Sequence, residues 1–121
     1  MIDVWLVEDN ATYRRNLARA VRRDESLCCG GEFDSVEDAL AALETQPPPD
    51  VMLLDVALPG MDGVAGIPHL LERAPSANIV ILTTFDDPDK IYRAICAGAS
   101  GYLLKTATIA EVARAVRHAA E

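Results

Sequence analysis

"DVMLLDVALPGMDG", residues 50–63, sets four apolar side chains in a row, Val51 to Leu54, directly before an acid, Asp55. A Pro59–Gly60 break follows within five residues. A continuous Val/Leu/Met run, without alternation, marks a strand covered on both faces. A strand of that kind belongs to a parallel sheet with helices packed above and below it. Asp55 then stands at the carboxyl end of a central strand, where the chain turns away.

Four further runs share this character: "IDVWLVE" (2–8), "LCCGGEF" (27–33), "NIVILT" (78–83) and "SGYLLK" (100–105). Helical patterns separate them. Tyr13, Leu17 and Val21 recur every four residues, and Val36, Leu40 and Leu43 nearly so. Ile91 pairs with Ile95 before Gly98, a helix stop, and Ile109, Val112 and Val116 line one face of the last helix. Ser35 with Asp38, and Thr108 with Glu111, have the spacing of N-terminal capping pairs. Asp87 followed by Pro88 fits a cap and first turn. The third helix, "GVAGIPHLLERAP", holds two glycines and Pro68. It is expected to start near Ile67 or to be distorted at its beginning, because an interior proline removes a hydrogen bond. The order βαβαβαβαβα predicts one doubly wound α/β domain over residues 1–121, a three-layer sandwich around a five-stranded parallel sheet.

Composition narrows the function. The chain has 121 residues, with 11 basic and 19 acidic side chains and a formal charge of −8. That balance argues against this domain gripping nucleic-acid phosphates, which takes clustered Lys and Arg. It suits cation binding or simple solubility. No apolar run reaches membrane-spanning length, and the start, "MIDVWLVEDN", reads as a strand, not a signal peptide. Cys28, Cys29 and Cys96 do not form a disulfide framework and are expected as small buried thiols of a cytoplasmic protein.

In a doubly wound sheet, ligands bind beyond the carboxyl ends of the strands. The residues at those ends are Glu8 and Asp9 after the first strand, Asp55 after the third, Thr83 and Thr84 after the fourth, and Lys105 after the fifth. Three neighbouring carboxylates repel one another, so they either raise a pKa or hold a cation. Hard oxygen ligands suit Mg²⁺. A lysine and a hydroxyl beside a metal-bound carboxylate make a phosphoryl-handling set, with Asp55 as the nucleophile that forms an acyl phosphate. Each side chain also has an ordinary reading: Glu8 and Asp9 as helix caps, a role open to Asn10 as well, Thr83 as a strand residue, Lys105 as a surface lysine. Their coincidence at one sheet edge favours the chemical reading.

The acidic pair "ED" (8–9), "LLDVALPGMDG" (53–63), "ILTTF" (81–85) and "AGASGYLLK" (97–105) resemble the motifs of response-regulator receiver domains, the CheY-like superfamily of two-component signalling. The stretch "LTTFDDPDKIYRAICAGASGYLLK" is most similar to the NarL/FixJ subfamily. The resemblance implies strand order 2-1-3-4-5. It implies that Asp55 is the phosphoacceptor, Asp9 the direct metal ligand, Glu8 its partner through water, and the backbone carbonyl of Ala57 a third protein ligand. The metal would be Mg²⁺, with Mn²⁺ as an alternative. Lys105 would contact the phosphoryl group, Thr83 would be the switch hydroxyl, and Tyr102 the aromatic residue that rotates with it. Thr84 is bulkier than the small residue often found beside the switch hydroxyl, and Phe85 would shape access to the site or simply pack.

The resemblance further implies a sensor histidine kinase as phosphodonor, a phosphorylation-dependent homodimer, and transcriptional output. DNA would be reached only through a C-terminal helix-turn-helix domain absent from this chain. Two rivals fit less well. A phosphohydrolase with an aspartyl nucleophile wants a second acid two residues on, where this chain has Ala57. An FMN protein wants a Ser/Thr/Gly-rich phosphate loop, where this chain has "EDNATYRR".

Overall fold

A computed structural model describes residues 1–84 and 87–121. Phe85, to which the sequence assigns access or packing, lies outside the described residues. The elements run β1 (Ile2–Val7), α1 (Ala11–Arg23), β2 (Leu27–Phe33), α2 (Val36–Ala42), β3 (Val51–Asp55), α3 (Gly63–Arg73), β4 (Asn78–Thr83), α4 (Pro88–Ala97), β5 (Gly101–Leu104) and α5 (Ile109–Ala120). The strands form one parallel sheet in the order β2-β1-β3-β4-β5.

Period-two alternation along the central strands builds two cores, one on each face. Trp5, Val7, Met52, Leu54, Ile79 and Ile81 point to the face covered by Val36 of α2, Ile67 and Leu70 of α3 and Ala94 of α4. Val4, Leu6, Val51, Leu53, Val80 and Leu82 point to the face covered by Leu17 and Val21 of α1 and Val112 and Val116 of α5. All five residues of β3 are buried, which is why its sequence shows no polar alternation. Each fully buried Val, Leu or Ile contributes about 1.5–3 kcal/mol. Trp5 is part of this packing, with its ring 4.9 Å from that of Phe33. The edge strand β2 shifts register against β1 at Gly30, one extra residue between the pairs Val4–Cys29 and Trp5–Gly31.

The predicted caps form. Ser35 accepts from the Asp38 N–H, Asp87 caps α4 with Pro88 next to it, and Thr108 and Glu111 make a reciprocal capping box. Gly98 ends α4 with a φ of 120°.

Three expectations are corrected. The third helix starts at Gly63, well before Ile67: Asp62 caps it, its Oδ1 accepting from the Ala65 N–H at 2.8 Å. The glycines that made this segment look non-helical are there for close approach. A Cβ on Gly63 would overlap the Asp55 carbonyl oxygen, and one on Gly66 would press within 2.8 Å of Val36. Pro68 then costs a single bond, the one its nitrogen would have donated to Val64. Second, Ile95 and Ile109 do not join the buried stripes of their helices; they are 45 % and 48 % exposed. Third, the cysteines are not buried: Cys28 and Cys29 are half-buried and Cys96 is exposed on α4. Among the described residues, no helix is long and apolar enough to cross a membrane.

Candidate functional site

The parallel sheet delivers β1, β3, β4 and β5 to one edge with their carboxyl ends together. Backbone bonds fix the ends in register: the Glu8 N–H donates to the Phe33 carbonyl (2.9 Å), Val56 to Leu82 (3.2 Å) and Lys105 to Thr83 (2.9 Å). Carboxylate oxygens of Glu8, Asp9 and Asp55 lie within 4.8 Å of one another. Glu8 is fully buried and Asp55 is 2 % exposed, while Asp9 faces solvent.

Lys105 reaches into this group from β5. Its Nζ donates to Glu8 Oε1 at 2.5 Å and to Asp55 Oδ2 at 3.0 Å. The other Asp55 oxygen accepts from the Ala57 N–H at 3.2 Å, and Glu8 Oε2 accepts from the Asn10 N–H at 3.2 Å. Asn10, not Asp9, caps α1, accepting from the Tyr13 N–H, so the exposed Asp9 carboxylate is not spent on the helix end.

Burial pushes the Glu8 carboxyl up, to about 7; Lys105 opposes the shift and Asp55 adds to it. For Lys105, burial pulls the ammonium down, but the bonds to Glu8 and Asp55 outweigh it, and the net shift is upward. A protonated lysine among buried carboxylates is therefore the resting arrangement of the site.

Thr83 is buried at the end of β4. It lines, with Asp55, Ala57 and Thr84, a small cavity of about 140 Å³. Tyr102 sits on β5 opposite Ile81 and is 46 % exposed; it is not part of the carboxylate–lysine cluster. The glycine-containing turn after Asp55 is fastened from α2: Glu37 accepts from the Met61 N–H at 3.2 Å, and Gly60 takes a φ of 73°.

Two site residues escape the sequence reading. Arg14 Nη1 donates to the Glu8 carbonyl at 2.6 Å, holding the acidic loop to α1. The Tyr13 ring lies 5.1 Å from Lys105 Nζ, a cation–π contact. The helical period places Tyr13 on the buried stripe of α1 and predicts packing alone; only its position near the acidic loop hints at more.

Three carboxylates, one lysine and one hydroxyl at the switch edge of a 2-1-3-4-5 sheet define the receiver class of fold and site. The model of the response regulator receiver domain family matches residues 4–117, and the chain belongs to that family. The transcriptional regulatory protein LiaR of Bacillus subtilis is 38 % identical over 122 residues, covering 100 % of this chain and 57 % of LiaR. The DNA-binding transcriptional activator DevR/DosR of Mycobacterium tuberculosis is 39 % identical over 117 residues, 97 % of this chain and 54 % of that protein. The signal receiver domain of the response regulator NarL from Mycobacterium tuberculosis aligns with a TM-score of 0.91 at 31 % identity, covering 98 % of this chain and 95 % of that one. The chain thus spans little more than half the length of these two curated relatives.

Proposed function

We propose that this domain accepts a phosphoryl group from a sensor histidine kinase onto Asp55 and relays the change to a transcriptional output. The observation that carries the reading is the Asp55 carboxylate, buried, lining a small cavity and held by Lys105 at 3.0 Å beside two further acids. An Asp55 oxygen attacks phosphorus as the bond from phosphorus to the donor's histidine nitrogen breaks, and the electron pair leaves with the imidazole. Lys105 offsets charge on the phosphoryl oxygens and the Thr83 hydroxyl donates to one of them. The donor set fits a hard divalent cation: Asp9 and Asp55 as direct ligands, the Ala57 carbonyl as a third, and Glu8 through water. When bound, Mg²⁺ or Mn²⁺ supplies charge neutralisation at the phosphoryl oxygens. The same residues, acting on the domain's own acyl phosphate, make phosphorylation and hydrolysis self-catalysed events rather than turnover of outside substrates.

The phosphoryl group brings roughly −1.5 to −2 charges to a cavity that the buried Thr83 lines. Thr83 moves toward it, and Tyr102, exposed at rest, turns inward. Surfaces on α1 and α5, or around α4, then associate, giving a phosphorylation-dependent homodimer. The greater length of LiaR and DevR/DosR, and the DNA-binding role in the name of DevR/DosR, support a C-terminal helix-turn-helix domain as the part that meets DNA, in a cytoplasmic regulator. The direct test is labelling by a small phosphodonor with Mg²⁺, read by intact mass. Wild type gains one phosphoryl group and Asp55→Asn gains none; persistent labelling of Asp55→Asn ends the assignment.

A further inference from the structure

The acceptor cavity has a second cationic wall. Lys90 of α4 lines the pocket of about 140 Å³ that holds Asp55 and Thr83. It also lines an adjoining cavity of about 390 Å³ that shares Val56 and Ala57. Arg93, in the larger cavity, is paired to Asp89 at 3.2 Å. Lys90 makes no ion pair among the described residues. Asp87, the acid on the same wall, is engaged in capping α4 through the Lys90 backbone N–H at 3.3 Å. Asp62, in the larger cavity, is likewise engaged, capping α3.

Lys105 bonds Asp55 directly, while Lys90 and Thr84 are exposed and line the cavity that holds the buried Asp55. In an in-line transfer the leaving group departs away from the attacking Asp55 oxygen, into that cavity. Charge on the departing atom depends on the donor. An acyl phosphate releases a carboxylate, because the oxygen–phosphorus bond breaks with its electron pair on oxygen. A phosphoramidate releases a neutral amine after nitrogen takes a proton.

We propose that Lys90 is a specificity-determining residue that meets the leaving group, favouring small phosphodonors whose leaving group is an anion. This rests on Asp55 being the phosphoacceptor. A single exposed cation near a developing carboxylate changes a rate by about fivefold, the scale of an exposed charge pair.

The experiment compares labelling rates of wild type, Lys90→Gln and Lys90→Arg with acetyl phosphate and with phosphoramidate, both with Mg²⁺. Lys90→Gln is expected to lose about fivefold with acetyl phosphate and less than twofold with phosphoramidate, and Lys90→Arg to restore the acetyl phosphate rate. The selective loss should shrink at about 1 M salt, where the Debye length is about 3 Å and an exposed charge pair is screened. Equal losses with both donors, no loss with either, or a selective loss that about 1 M salt leaves unchanged overturns the role of Lys90 while leaving Asp55 as acceptor. Failure of both donors to label wild type, or labelling of Asp55→Asn, overturns the acceptor reading and this one with it.

Discussion

Replacing Lys105 by Met tests how the resting site is held together. Its ammonium stands 2.5 Å from Glu8 and 3.0 Å from Asp55. At an effective dielectric of about 20, each attraction is about 5–7 kcal/mol before desolvation. Most of that offsets the cost of taking the three groups out of water, so the informative figure is the cost of removing one partner. For fully buried pairs that cost is about 3–5 kcal/mol. The Lys105 side chain is 22 % exposed, so water reaches part of the cluster and about 2–4 kcal/mol is expected near pH 8.

The loss must depend on pH. Burial already raises the Glu8 carboxyl to about 7 with Lys105 in place, and without the ammonium it rises further. A folded-state pKa above the unfolded value gives stability that is complete below the unfolded pKa and disappears as pH rises through the folded one. Lys105→Met should therefore approach wild-type stability near pH 5, where Glu8 is protonated in the fold, and fall behind steadily toward pH 8. Urea unfolding of both proteins across that range, in chelator, measures the difference. An equal deficit at both ends would show that Lys105 acts through packing and not through charge.

Two further outcomes follow from the same geometry. A proton on Glu8 competes with a divalent cation at the cluster, so Mg²⁺ affinity measured by calorimetry should rise about tenfold between about pH 6 and 8; Glu8→Gln should flatten the profile, and a flat wild-type profile would remove Glu8 from the cation site. Gly63→Ala places a methyl group against the Asp55 carbonyl and within 2.8 Å of the Val56 Cα; it should cost about 1–3 kcal/mol in urea unfolding and slow labelling of Asp55 by moving the strand end, whereas wild-type behaviour in both would mean that this turn tolerates displacement.

The fold was legible where one physical signal dominated. Continuous apolar runs located β1, β3 and β4 because both faces of those strands are covered. Caps were legible because they are local: Ser35, Asp87 and Thr108 each satisfy a donor within three residues. The start of α3 was not, because the reason for "GVAG" lies outside the segment. Gly63 and Gly66 are set by the Asp55 backbone and the Val36 side chain, neither of which a helix-propensity argument contains. Ile95 and Ile109 were misplaced for the converse reason. Their spacing fits a buried stripe, but α4 buries only Ala94 and Ile109 is the first residue of α5, and both isoleucines are largely exposed.

The site divides in the same way. Glu8, Asp9, Asp55 and Lys105 were found together because strand ends in a parallel sheet are forced to one edge, so position along the chain translates directly into position in space. What sequence could not give is the state of that cluster. The Lys105–Glu8 and Lys105–Asp55 bonds close sequence separations of 97 and 50 residues, and they exist only once β1, β3 and β5 are aligned. Because the apolar strands desolvate the acids that emerge from them, the packing that places Glu8 also raises its pKa. Lys105 is then required twice: at rest it offsets carboxylates that the core has stripped of water, and in the proposed transfer it offsets the charge of the incoming phosphoryl group. A substitution at Lys105 accordingly cannot be read as catalytic from lost labelling alone. Unchanged stability near pH 5 with labelling still abolished there would separate the two roles.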